Sequence, residues 1–199
     1  MKKISKACDD YIKIGIQGGI GSFNEEALIS NVKFKNYEIK YLYTTEKVLE
    51  ELESGKIDLG QFAIFNKYGG IVDENINAIS KYNFNIIDKY IIKIEQCLLA
   101  KNNIDISEIK TIMSHPQGFA QCKGTLEKKY PNLKQIVGRG KLIDPAYLAS
   151  KLSTGKLSTN ISIIGNKTLA KIYHLKIVER NLQDSKENYT SFLLVSKFC

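Results

Sequence analysis

Lys13-Ile14-Gly15-Ile16-Gln17-Gly18-Gly19-Ile20-Gly21-Ser22-Phe23-Asn24-Glu25-Glu26 decides the fold class. Lys13 to Ile16 reads as a short buried strand, and it runs into a glycine turn over residues 18–21. Ser22 and Glu25 then stand three apart. In that spacing an N-cap hydroxyl takes a backbone amide of the first turn and the acid reaches back to the start of the helix. Ala27 and Leu28 carry the helix on. Strand, glycine turn and helix in sequence is an α/β unit. The turn does not fit a dinucleotide fingerprint, because with Gly19-Ile20-Gly21 as its opening the third glycine position falls on Asn24.

The same alternation continues outward. Lys40 to Tyr43 reads as a strand, and Thr45 to Leu52 as a helix with Val48, Leu49 and Leu52 on one face and Gly55 behind it. Leu59 to Ile64 is an apolar run ending in the turn cluster Asn66-Lys67-Tyr68-Gly69-Gly70. Lys89 to Ala100 is a strand or strand pair leading into a second lobe. Lys110 to Met113 is a strand, followed by a helix that carries Phe119, Cys122, Leu126 and Tyr130 on one face. Asp144-Pro145 starts another helix, with Asp144 as N-cap and Pro145 in the first turn. Ile161 to Ile164, Lys176 to Glu179 and Phe192 to Ser196 are strands, and residues 166–173 a helix. Such alternation predicts open, mainly parallel sheets, with ligands beyond the carboxyl ends of the strands. Four polar turns fall there: residues 18–22, 66–70, 114–117 and 188–191.

Composition narrows the function. With 199 residues, 43% hydrophobic and 25% charged, the chain is an ordinary globular protein able to bury a core. Its net charge of +8 is spread as single lysines. Arg139 and Arg180 are the only arginines, so arginine-based base readout and nucleic-acid binding are not expected. The apolar runs are too short to span a bilayer. Cys8, Cys97, Cys122 and Cys199 form no Cys-x-x-Cys pair, and with two histidines no zinc or other metal site is expected. Lys2 and Lys3 are followed by a polar segment with Asp9 and Asp10, not a secretory signal, which predicts a cytoplasmic protein with free thiols.

Read together, the four turns resemble the prephenate dehydratase family. Residues 18–23 are similar to its Gly-Pro-x-Gly-Thr-Phe segment, and residues 60–66 with Gly69 to its Gly-x-x-Pro-Ile-Glu-Asn stretch and glycine. Ser114-His115-Pro116-Gln117 with Ala120-Gln121-Cys122 is close to Ser-His-Pro-Gln-Ala-Leu-Ala-Gln-Cys, and it is the most specific block. Residues 172–175 match the family's Tyr-Gly-Leu segment. Gln183-Asp184 and Asn188-Tyr189-Thr190-Ser191-Phe192 match its Asp and Asn-x-Thr-Arg-Phe. The resemblance covers nearly the whole chain. It implies two α/β lobes like those of periplasmic binding proteins, residues 10–90 plus 185–199 and residues 91–184, with a small anionic ligand in the cleft between them. It also implies a homodimer. Neither the family's regulatory ACT domain nor its chorismate mutase helix has a counterpart in the 199 residues, so no phenylalanine feedback site is expected.

The activity implied is a lyase that turns prephenate into phenylpyruvate, water and carbon dioxide, the phenylalanine branch of aromatic amino-acid synthesis, with no cofactor. Thr190 takes the family's role of hydrogen-bond donor to the departing hydroxyl, supported by Asn188. Ser114 and Gln117 lie where a helix begins, and Ser22 with the amide groups after Gly21 forms a second such place. Free N–H groups and the helix dipole suit a carboxylate at both. Spacing alone makes each a plain N-cap, and the resemblance raises Ser114 and Gln117 to substrate contacts. Asn66 orients a polar ligand group or simply holds its turn. His115 either titrates near neutrality or packs beside Pro116.

Two positions depart from the pattern. Ser191 replaces the motif arginine, a natural carboxylate clamp, and stays a candidate contact. Phe65 replaces the motif glutamate. If that glutamate and arginine pair, their joint loss is one coherent change. Lys67 offers a replacement positive charge near the cleft. Three readings follow: the dehydratase, a non-aromatising prephenate decarboxylase or other divergent lyase, and a small-acid-binding module without chemistry.

Overall fold

The computed structural model describes residues 11–198. The thiols of Cys8 and Cys199 lie outside the described residues. The first sheet is built from β1 (Ile12–Ile16), β2 (Tyr37–Tyr41), β3 (Leu59–Asn66), β4 (Gly70–Ile71), β5 (Phe84–Lys93) and β11 (Tyr189–Lys197), in the order β2-β1-β3-β11-β5 with β4 on β3. The second holds β6 (Cys97–Lys101), β7 (Thr111–Ser114), β8 (Lys134–Val137), β9 (Ile161–Gly165) and β10 (Leu175–Glu179), ordered β10-β6-β9-β7-β8. Helices α1 (Phe23–Asn31), α2 (Thr45–Glu53) and α3 (Asp73–Ile79) accompany the first sheet, and α4 (Pro116–Lys129), α5 (Pro145–Ser153) and α6 (Lys167–Ile172) the second.

The sheets are mixed, which corrects the mainly parallel expectation. β2-β1-β3 and β9-β7-β8 are parallel as the alternation predicts, while β11 runs against β3 and β5, and β6 against β9 and β10. The reason is topological. The chain crosses between the lobes after β5 and returns before β11, and the two crossing segments bond to each other through Ile94 N–H to Asn188 O and Leu182 N–H to Gln96 O, 2.8 Å each. The first strand after each crossing starts at the cleft, where β1, β3, β7 and β9 end.

Each lobe keeps its own core. Val48, Leu49 and Leu52, the face read from the sequence, pack on Phe62 and Val195, and Phe62 meets Phe84 edge-on at 5.9 Å between ring centres. Burying one such side chain stabilises by about 1.5–3 kcal/mol. In the second lobe Leu99, Leu148, Leu152 and Ile163 form a core, and Cys122 lies in another with Leu98 and Leu126. Cys122 is thus a packed apolar residue, and burial raises its thiol pKa, which keeps it un-ionised. The strand read over Lys40–Tyr43 instead spans Tyr37–Tyr41, because Tyr43 takes a left-handed backbone with φ of 63°. The helix α3 and the strand β8 lack a strong sequence signal and appear only in the structure.

Candidate active site

A cleft of roughly 840 Å³, counted out to its mouth, lies between the sheets at the carboxyl ends of β1, β3, β7 and β9. Its size suits a small organic ligand. Ser22, Asn66, Ser114, Gln117 and Thr190 all line it, which brings together residues up to 168 positions apart in sequence. Asn188 stands behind Asn66. Gly21 and Ser191, also read as contacts, do not line it.

The best-defined group in the cleft is built on the pairing of β3 with β11. Asn66, the last residue of β3, is 1% exposed and lies opposite Thr190. Its amide nitrogen is 2.9 Å from Thr190 Oγ1, 2.8 Å from Asn188 Oδ1 and 3.1 Å from the Tyr189 carbonyl. Its oxygen accepts the amides of Tyr68 and Gly69 at 2.9 and 2.7 Å, so both ends of the side chain are fixed. The network continues across the hinge. Asn188 Nδ2 donates to Gln121 Oε1 at 2.9 Å, and so does Gln96 Nε2. Because Thr190 Oγ1 accepts from Asn66, its own proton is free to be given into the cleft.

On the opposite wall β7 ends at Ser114, and the N-cap of α4 is His115 rather than Ser114. His115 is extended before Pro116, and its Nδ1 accepts the Gln117 amide at 3.0 Å. The proton of the ring is thereby assigned to Nε2, which faces Glu74 Oε1 of the other lobe at 2.7 Å. Gln117 donates to the carbonyls of Gly69 and Ile71 at 3.0 and 2.8 Å, again across the cleft. The two glycines here leave the space that Gln117 and Ser114 fill: a Cβ at Gly69 would overlap Gln117 Oε1, and one at Gly118 would overlap Ser114 Oγ. Ser114 Oγ and Gln117 Oε1 are buried without a partner within the protein.

At the first lobe Ser22 caps α1 as the sequence predicted, accepting the Glu25 amide at 3.3 Å. The carboxylate of Glu25 reaches back one residue further than a simple box, to the Gly21 N–H at 2.5 Å. The Gly21 carbonyl accepts Asn166 Nδ2 at 2.8 Å, so Gly21, not itself a lining residue, is tied to a lining residue of the other lobe.

Sequence reasoning missed two carboxylates in this cleft. Glu74 belongs to the unpredicted α3. Asp144 was read only as the N-cap of α5; it does accept the Tyr147 amide at 2.8 Å, but it also lines the cleft against Gly18 and Gly19. Burial raises its pKa to about 6, although amide groups of Tyr147, Gly19 and Ala146 favour the ionised form. The signal was in the sequence: an acid at a helix start is also an acid at the mouth of an α/β cleft. Lys67 is exposed, with its ammonium 5.9 Å from the Tyr68 ring centre, and does not line the cleft; His174 is exposed as well. No cluster of metal-ligating side chains occurs among the described residues, and no described helix is long and apolar enough to cross a membrane.

Comparison with known proteins identifies the family. The family model of prephenate dehydratase matches residues 14–198. The chain belongs to the prephenate dehydratase family. A bifunctional chorismate mutase/prephenate dehydratase of Buchnera aphidicola subsp. Schizaphis graminum is 30% identical over 98% of this chain and 51% of its own length. Arogenate dehydratase/prephenate dehydratase 2, chloroplastic, of Arabidopsis thaliana is 28% identical over 94% of this chain and 46% of its own length. The chain therefore spans about half the length of these curated relatives. A prephenate dehydratase structure from Arthrobacter aurescens, in complex with L-Phe, superposes with a TM-score of 0.79 at 23% identity, covering 94% of this chain and 61% of that one. This likeness shows that the family fold, two mixed α/β lobes around a cleft, is the one found here.

Proposed function

We propose that this chain is a lyase of the prephenate dehydratase type, which removes water and carbon dioxide from prephenate or a close analogue to form an aromatic ring. The observation that carries the reading is the 2.9 Å bond from Asn66 Nδ2 to Thr190 Oγ1 inside the cleft. It holds the hydroxyl as an acceptor of one hydrogen bond and a donor of the other. The ring carbon–oxygen bond breaks as Thr190 gives its proton to the leaving hydroxyl, which departs as water. The bond to the ring carboxylate breaks in concert, its electron pair forms the new ring double bond, and carbon dioxide leaves. A proton from solvent restores Thr190. Asn66 stabilises the oxygen of Thr190 while its proton is away.

The start of α1 at Ser22 and the unpartnered hydroxyl of Ser114 offer donors for substrate carboxylates. Retention of Thr190 favours dehydration over the non-aromatising alternative. The two lobes, read from the sequence as residues 10–90 with 185–199 and residues 91–184, close on the ligand, with the first crossing falling after Lys93, the end of β5, rather than after residue 90. A homodimer is proposed with this reading. The exposed Ile86 and Ile91 on β5, an edge strand, support an interface there. Buried free thiols at Cys97 and Cys122 support a reducing, cytoplasmic location.

The test is incubation of the purified chain with prephenate at neutral pH, with products followed by NMR and mass spectrometry against an enzyme-free control. Phenylpyruvate is expected. A decarboxylated product that keeps its hydroxyl would move the chain to the non-aromatising branch, and unchanged prephenate would refute the reading for this substrate.

A further inference from the structure

Among the described residues three side chains other than glycine sit at a left-handed φ: Tyr43 at 63°, His174 at 52° and Asn181 at 53°. Two have local reasons. His174 follows the last turn of α6, where a left-handed residue commonly closes a helix, and Asn181 belongs to a residue type that tolerates the region. Tyr43 has neither reason. It is the centre of a three-residue turn in which the Thr44 N–H donates to the Leu42 carbonyl at 2.7 Å, and its positive φ makes this the rare, strained form of the γ-turn. Glycine or asparagine would take the position with little strain. Strained residues of this kind cluster where a ligand is held.

The turn places the aromatic ring. Tyr43 is half-buried and lines the cleft. It packs against Gly19, where a Cβ would come within 3.1 Å of Tyr43 Cε1. Tyr147 of α5, in the other lobe, meets it edge-on, with ring centres 5.7 Å apart and 79° between the planes. The ammonium of Lys141 stands 5.4 Å from its ring centre. Neighbours from both lobes therefore fix the ring at the wall of the cleft.

That wall lies away from Thr190. In the order β2-β1-β3-β11, three steps separate the strand that precedes Tyr43 from the strand that carries Thr190, about 14 Å at the usual spacing. The ring leans inward from there, over the glycine turn that follows β1. The start of α1, offered above to a substrate carboxylate, stands at the same end, since a Cβ at Gly18 would meet Ser22. Prephenate carries its departing hydroxyl and its three-carbon side chain at opposite corners of the ring. With the hydroxyl at Thr190, the side chain extends toward β1 and Tyr43.

We propose that Tyr43 is a substrate-binding residue whose strained turn presents its ring to the side chain of the substrate, the end remote from the leaving hydroxyl, and so selects for substrates that carry that side chain. This rests on the lyase reading above and adds to it a contact that determines specificity.

The experiment measures kcat and KM for prephenate, and the inhibition constant of an analogue with a methyl group in place of the three-carbon side chain, on wild type, Tyr43→Phe, Tyr43→Ala and Tyr43→Gly. Calorimetry follows prephenate binding to each. Tyr43→Gly suits the left-handed turn and should fold even if Tyr43→Ala does not. Both truncations should raise KM for prephenate about tenfold or more and leave the inhibition constant of the methyl analogue within about threefold of wild type. Tyr43→Phe keeps the ring and should match wild type on both compounds. Tyr43→Gly should also unfold at a higher denaturant concentration than Tyr43→Ala, the reverse of their usual order, because the two differ only in what the backbone tolerates. An equal loss on both compounds, an unchanged KM in the truncated variants, or Tyr43→Ala as the more stable of the pair overturns the proposal. If prephenate binds without turnover, and the truncations weaken that binding about tenfold while Tyr43→Phe does not, the contact stands and the lyase reading falls. If prephenate does not bind, both fall.

Discussion

The two faces of β11 have diverged differently. On one face Thr190 and Phe192 look into the cleft, and Thr190 keeps both its hydroxyl and its asparagine partner. On the other, Ser191 stands directly opposite Phe65 of β3 and Ile91 of β5, with Ile71 of β4 opposite Phe65 in turn. Phe65, Ile71 and Ile91 are 44%, 54% and 58% exposed, so this row is an outer surface. The two departures from the family pattern are cross-strand neighbours on that outer face. Side chains alternate along a strand, so one residue of offset separates the cleft-facing Thr190 from Ser191, which faces away from the cleft. An arginine at position 191 would lie beside position 65, not in the cleft, so its absence removes nothing from the side that carries Thr190.

The inner face should therefore show the largest effects. Thr190→Ala is expected to lower kcat about 10²–10⁴-fold, the range for a positioned acid, with the melting temperature little changed. Thr190→Ser should recover much of the loss. Undiminished turnover in Thr190→Ala would remove the residue from the mechanism. Asn66→Ala comes next, with kcat expected to drop on the order of 10²-fold, as for a lost stabilising donor. It should also cost about 1–3 kcal/mol in denaturant unfolding, because Asn188 Oδ1 and two turn amides lose a buried partner. A loss of stability with normal kcat would make Asn66 purely structural.

The opposite wall predicts an unusual pH dependence. Asp144 has its pKa raised by burial to about 6 in the folded state, from an ordinary value of 3.8. Between these values the folded state binds the proton more strongly than the unfolded chain, so this group adds stability as pH falls from 7 to 4 and withdraws it as pH rises. The expected swing is on the order of 2–3 kcal/mol. Tyr173 lies close enough to interact with Asp144, and burial raises its pKa further above neutrality, so it does not mimic the swing. Asp144→Asn should flatten this part of the profile in denaturant titrations. An unchanged profile would place the carboxylate in contact with solvent.

How much of this was legible beforehand follows from what each feature depends on. The α1 turn and cap, the α2 face and the start of α5 are local, set by residues three or four apart, and the sequence reveals them. The assembly of Asn66, Ser114 and Thr190 depends on a strand pairing 124 residues apart in numbering and on the facing of two separate sheets, which only the family resemblance supplied. The antiparallel course of β11 and β6 follows from the chain crossing twice between lobes, and no local pattern encodes it. Glu74 was invisible because α3 is seven residues long and has no side-chain cap bond, so neither periodicity nor capping marks it. Asp144 was legible as a cap but not as a cleft residue, because exposure to a ligand is decided by Gly18 and Gly19 of the other lobe.

The smallest effect is expected on the outer face, and it sharpens the comparison most directly. Phe65→Glu with Ser191→Arg installs a glutamate–arginine pair across β3 and β11 at positions already in register. Ser191 is 8% exposed and Phe65 44%, so the guanidinium would have to reach out over the strand to the glutamate. Alone, Ser191→Arg should be destabilising, since it crowds a covered position without a partner for the charge. Joined by Phe65→Glu, part of that cost should be recovered, with a coupling of about 1 kcal/mol in a double-mutant cycle, as expected for a partly exposed pair. Through all of this kcat/KM should stay within about threefold of wild type, because neither side chain lines the cleft and uniform effects on stability do not alter the transition state. A tenfold gain from Ser191→Arg alone would mean that the arginine enters the cleft, and the division of β11 into a reacting face and a free face would have to be abandoned.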